Sequence, residues 1–397
     1  MLLWLVIGGC LVAFLLSLAL NWIALGPWRR CTNHHWAERA RLLYPARSSA
    51  ALNVLLITAN VVEIEYFIEP GFSACWLTLV ILTFFSALLG TFWLSQAIFP
   101  RITFKRWLKN LAEGWSLRYG ILLVYLLCAA VMPKEFGWPA IAVTAGALLF
   151  HWIQLSRWRT RWMLWAGLLR PPGDRLKRIV EETCSCMNVP VSSVWQLTGF
   201  YGQAYALPVT RELYFSDRLM EICDDREVAA ICAHELGHLT ESKAVLFRRI
   251  AGTFVLFPLL FLRPMFAAGG AWFPVLLVPT LLLLLLNKKL SVRMEKRADQ
   301  IATDNQADPG VYGRALEKIY QENVMPAVTG RRHPTHPDLY DRLTAAGIVP
   351  DYPRPKPARK YHWSSLVLYV VLIVALIIYA SLPDLSRIPA SWMVESQ

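Results

Sequence analysis

His234-Glu235-Leu236-Gly237-His238 is the part of the sequence with the most chemistry in the fewest residues. On a helix, side chains four apart lie on one face, so the two imidazoles can point at a single ion. Glu235 sits beside that face, within reach of a water on the ion. Two neutral imidazoles and a neighbouring carboxylate are the parts with which zinc makes a hydroxide near neutral pH. The chain has only eight histidines, so a chance pairing at this spacing is a weak competitor.

Catalytic zinc commonly has three protein ligands and one position left for water. The third would be an acid or a histidine on a separate element. Glu295, in Arg293-Met294-Glu295-Lys296-Arg297-Ala298-Asp299, is the best candidate. Asp299 lies four residues on, on the same helical face, where it could accept an imidazole N–H. Spacing alone allows an ordinary solvated charged helix equally well. Cys31, His34 and His35 form a poorer group that lacks a fourth ligand.

The elements that must position these residues can be read around them. Asp224-Asp225-Arg226-Glu227 is an Asp-x-x-Glu capping signature that starts the helix carrying the two histidines. Helical spacing of Leu176, Ile179, Val180 and Thr183 predicts an earlier helix over 175–187. Residues 191–198, 202–208 and 212–216 read as short strand-like runs. Residues 323–337 read as a loop, and 351–357 as a proline-rich linker.

These pieces sit in a very apolar chain. Hydrophobic residues make up 56% of 397 and charged ones 17%, and mean hydropathy is positive. That composition indicates a polytopic membrane protein. Eight spans are expected, near 2–25, 51–68, 75–99, 119–132, 138–155, 250–265, 271–286 and 364–382. The net charge of +12 does not gather in one patch, which argues against a nucleic-acid partner. Lys and Arg instead follow spans one, three, five and seven, and they precede span eight. By the positive-inside rule the N-terminus is outside and the site faces the cytoplasm. The eight cysteines are scattered without a CxxC pair, so free thiols are expected. Glu63 and Glu65, near the far end of span two, are either interfacial or line a polar chamber.

The motifs together resemble the integral-membrane zinc proteases of the M48 family, which include the Ste24-type CaaX proteases and the HtpX-type proteases. The resemblance runs from about Arg175 to Gly347. It rests on His234-Glu235-Leu236-Gly237-His238, two apolar spans, then Glu295-x-x-Ala298-Asp299-x-x-Ala302. Gln203-Ala204-Tyr205-Ala206 is similar to the family's Asn-Ala-Phe-Ala segment, with Gln203 in place of Asn. Thr335-His336-Pro337 followed by Arg342-Leu343 is similar to its late Thr-His-Pro and Arg-Ile segment. Val292 stands where the family often has Arg.

The resemblance implies Glu295 as third ligand to one Zn2+ per chain and Asp299 as the aspartate behind the ligands. It implies Gln203, Ala204, Tyr205 and Ala206 as the strand along which substrate lies, and His336 as a stabiliser of the oxyanion. Arg342 is a second candidate for that support. Glu235 would be the general base.

The expected architecture is mainly α, a helical membrane protein with a cytoplasmic α+β zincin-type protease domain. Its blocks would be 1–155 with five spans, 156–249 with the HExxH motif, a two-span hairpin at 250–286, 287–362 with the third ligand, and 363–397 with the last span and an outer tail. The expected activity is a zinc metalloendopeptidase in the cell (inner) membrane, acting on membrane-associated or misfolded proteins. CaaX-type C-terminal processing is the specific alternative. A non-catalytic zinc-binding scaffold would have no need of Glu235, and a transporter would show inverted repeats, which are not visible.

Overall fold

The structure is a computed structural model that describes residues 2–68, 76–268, 273–330 and 337–381. Two compact units divide the chain: 1–34 with 42–101 and 358–397, and 35–41 with 102–357. This grouping cuts across the linear blocks read from the sequence. Apolar runs report that helices exist, but not which helices pack together.

The described secondary structure of the first unit is helical. Its core joins Ala13, Val54, Ile57, Val61 and Ala87 with Leu368 from the C-terminal helix Trp363–Ser381. Polar contacts fix that helix in place. Asn60 Nδ2 donates to Leu368 O at 3.3 Å, and Ser365 Oγ donates to Asn53 Oδ1 at 2.7 Å.

Among the described residues five helical segments are long and apolar enough to cross a bilayer: 3–30, 36–64, 78–98, 138–155 and 243–265. The expected fourth span belongs to a bent pair, Phe104–Leu117 and Gly120–Ala129, meeting at 78°. A π-helical turn at Trp115–Tyr119 breaks the regular ladder at the bend. The expected sixth span begins earlier than its apolar run, in the helix Lys243–Thr253. It then gives way to a 3-10 segment, Phe257–Phe261, with proline near its start. Proline offers no N–H to continue the ladder. The expected seventh span lies partly outside the described residues. From Phe273 onward it is the beginning of one long helix, Phe273–Asp304.

In the second unit a four-stranded sheet has the order β1-β2-β4-β3, with β1 Leu169–Arg170, β2 Ser193–Leu197, β3 Ala204–Leu207 and β4 Glu212–Ser216. β4 is buried along its whole length. It runs parallel to β2 and antiparallel to β3, with Tyr205 opposite Tyr214. β3 is therefore an edge strand, and it lies against the helix Asp225–Leu239. That helix begins with the expected capping box: Asp224 Oδ1 accepts from Glu227 N and Glu227 Oε2 accepts from Asp224 N, both at 2.9 Å. Val228, Ile231, Cys232 and Leu236 share a core with Ile179, Leu213, Phe215, Ala302 and Leu343.

The motif helix crosses the long helix at Gly237. A Cβ there would lie 3.2 Å from Ala298 Cα and 3.4 Å from Ala298 Cβ, so any side chain at 237 would crowd the crossing. Arg297 closes the same crossing by donating to Gly237 O at 2.9 Å and to Thr240 Oγ1 at 2.9 Å, adding to the bonds with which Thr240 caps that carbonyl. Gly237→Ala gains about 1 kcal/mol of helix propensity, while overpacking against backbone costs about 1–3 kcal/mol. The expected net result is a lower Tm with weakened metal retention. A higher Tm would show that the two helices can move apart freely.

Candidate metal centre

His234 and His238 project from the motif helix and Glu295 from the long helix across the glycine crossing. All three residues are buried, at 7–8% exposure. One ligand atom from each lies within 4.8 Å of the others. His234 Nε2 is 3.7 Å from Glu295 Oε2, and His238 Nε2 is 3.6 Å from Glu295 Oε1. The imidazole rings stand at 86° to each other. Two ligands of a tetrahedral zinc, each about 2.1 Å from the ion, are separated by about 3.4 Å. The nitrogen and carboxylate set present here fits that ion in type and in spacing. It is the only such group of three among the described residues.

The hydrogen bonds behind His234 decide which of its nitrogens is free. Tyr312 Oη is 2.7 Å from His234 Nδ1 and donates to Asp299 Oδ1 at 2.7 Å. Asp299 Oδ1 is itself 3.2 Å from Nδ1. Arg342 donates to Asp299 through Nε at 2.8 Å and Nη2 at 2.5 Å, and to Tyr312 Oη at 2.8 Å. A carboxylate only accepts, and the tyrosine proton is already committed to it. The hydrogen between ring and partners therefore sits on Nδ1, and Nε2 is the nitrogen that faces Glu295. Burial by itself would raise the Asp299 pKa, but the His234 hydrogen bond and the Arg342 charge outweigh it and hold the carboxyl well below its ordinary range.

Arg342, a candidate for oxyanion support, has its buried guanidinium bidentate on Asp299, behind His234, where it holds the carboxylate. Tyr312 was not singled out by sequence reasoning, since a lone tyrosine in Val311–Glu322 belongs to no recognisable spacing. Its stacking on His234, at 5.7 Å and 20°, exists only in the fold.

Glu235 is buried one position past His234, at 8% exposure. Ala204, Tyr205 and Ala206 form β3, with Gln203 just before it. Gln203 Nε2 donates to Glu113 Oε1 and its Oε1 accepts from Tyr205 Oη at 2.5 Å, so the entry to the strand is tied to the helix Phe104–Gly114. His336 lies outside the described residues. His35 is 3.6 Å from Asp351 and stacks against Tyr352, away from any described metal group.

Residues 172–347 match the family model of peptidase family M48, and no match was found among curated proteins. The metal-capable His-His-Glu group lies inside the matched region, which supports a metallopeptidase. If Arg342 holds Asp299, Arg342→Ala strands a buried carboxylate and is expected to cost about 3–5 kcal/mol in chemical denaturation. Unchanged stability with a reduced turnover number would return the arginine to the oxyanion.

Proposed function

We propose that this M48-family chain is a membrane-embedded zinc metalloendopeptidase. The observation that carries the reading is the convergence of His234, His238 and Glu295 on one buried point beside an edge strand. Bound there, zinc would make a water nucleophilic at neutral pH and polarise the scissile carbonyl. Glu235 accepts the proton released as the water attacks and delivers it to the leaving amine. Asp299 and Tyr312 keep the His234 proton on Nδ1. An extended peptide lies along Ala204, Tyr205 and Ala206 of the edge strand β3, and its backbone adds to the sheet as a further strand. His336 supports the oxyanion.

Backbone pairing makes a weak demand on side chains and suits membrane-associated or misfolded proteins as substrates. The placement of Lys and Arg supports a site on the cytoplasmic face of the cell membrane and eight crossings in all. CaaX-type C-terminal processing is the narrower reading, supported by the number of apolar helices ahead of the site.

Glu235→Gln is expected to retain one zinc per chain while losing about 10²- to 10⁴-fold in cleavage of an unfolded membrane-associated protein. Equal cleavage by zinc-loaded wild type and variant would sink the enzymatic assignment.

A further inference from the structure

His238 has an anchor of its own. The motif helix ends at Leu239, Thr240 closes it, and Ser242 caps the next helix, Lys243–Thr253, by accepting from Val245 N. Between the two caps stands Glu241, with a side chain only 2% exposed. Its Oε1 lies 2.9 Å from His238 Nδ1 and 2.5 Å from Arg249 Nη2. Arg249 Nη2 is also 3.3 Å from Nδ1. A guanidinium has no lone pair to offer, so the glutamate oxygen is the acceptor on which both N–H groups converge. Nδ1 of His238 therefore donates to Glu241, and Nε2 is the nitrogen that faces Glu295, 3.6 Å away.

We infer that Glu241 is a positioning residue for His238 and that Arg249 holds it in place, making the helix Lys243–Thr253 a working part of the metal site. The inference rests on the zinc reading given above. An exposed ion pair would contribute little, but Glu241 is buried, and a buried carboxylate needs its partners. Its other oxygen, Oε2, is buried with no hydrogen-bond partner among the described residues, so Oε1 alone carries the anchoring. The arrangement repeats, from a different element, the one behind His234, where Asp299 is gripped by Arg342. Nothing in a His-x-x-x-His spacing asks for an acid three residues past the second histidine. The local turn between two caps is what folds Glu241 back under the ring.

The consequence is a mechanical link. Arg249 stands on the segment 243–265, which is long and apolar enough to cross a bilayer. One turn further on, Thr253 Oγ1 lies 2.8 Å from His151 Nε2. One zinc ligand is therefore oriented from the start of a segment apolar enough to enter a bilayer, while the other is oriented from the helix Val311–Glu322 and the long helix.

The test uses the full chain in nanodiscs, with zinc affinity measured by competition against a chromophoric chelator and the Co2+-substituted visible spectrum as a geometric readout. Glu241→Gln is expected to weaken zinc binding about 10- to 100-fold and to shift the Co2+ bands. Glu241→Asp should recover part of the loss. Arg249→Gln, which leaves the glutamate in place, should weaken binding to a smaller extent and guards against a Glu241 variant that fails to fold. Wild-type zinc affinity and an unaltered Co2+ spectrum in either folded variant would overturn the inference. A wild type that binds no zinc would overturn the underlying metal assignment instead, and this inference with it.

Discussion

The crossing of the motif helix on the long helix is the contact from which the site follows. His234 and His238 share a helical face by spacing, but a third donor must come from elsewhere, and it must come within a few tenths of an ångström of the right place. Gly237 against Ala298 brings the backbones close enough for Glu295 to reach both Nε2 atoms. Arg297 then ties the end of one helix to the body of the other. A wider crossing would leave two histidines and a charged surface helix, which is the alternative that spacing alone allowed.

Around that crossing the orientation of each imidazole is settled by acceptors rather than by the ion. Asp299 with Tyr312 stands behind one ring and Glu241 behind the other, and each carboxylate is gripped by an arginine. Such an arrangement lowers the reorganisation needed to bind a metal, because both Nε2 atoms already face one point. It also concentrates buried charge, which is stable only while every partner is present.

Local chemistry was legible in the sequence, and long-range placement was not. The helix over 225–239 could be read because Asp224 and Glu227 cap it through neighbours three residues apart. The short strands near 193–197, 204–207 and 212–216 could be read from their composition and the turns between them. Their order could not, since β2 and β4 pair in parallel with β3 outside them, an outcome of packing against the motif helix. Tyr312 and Arg249 have no motif at all, and their roles arise from where other helices set them down. The motif names Arg342, but its bidentate contact with Asp299 depends on the fold, because a motif does not say what a guanidinium will face. The apolar runs point to helices long and apolar enough to cross a bilayer, but they carry no sign of the bend at Trp115–Tyr119 or of the early start of the segment from Lys243.

The central claim is that two imidazoles and one carboxylate hold a single zinc. Zinc K-edge X-ray absorption on the purified full chain, with metal content measured on the same sample, examines it directly. The account predicts one zinc per chain with two imidazole nitrogens at about 2.0–2.1 Å and oxygen ligands at about 2.0–2.2 Å. A shell containing sulfur, a third imidazole, or a spectrum unchanged by Glu295→Ala would contradict it.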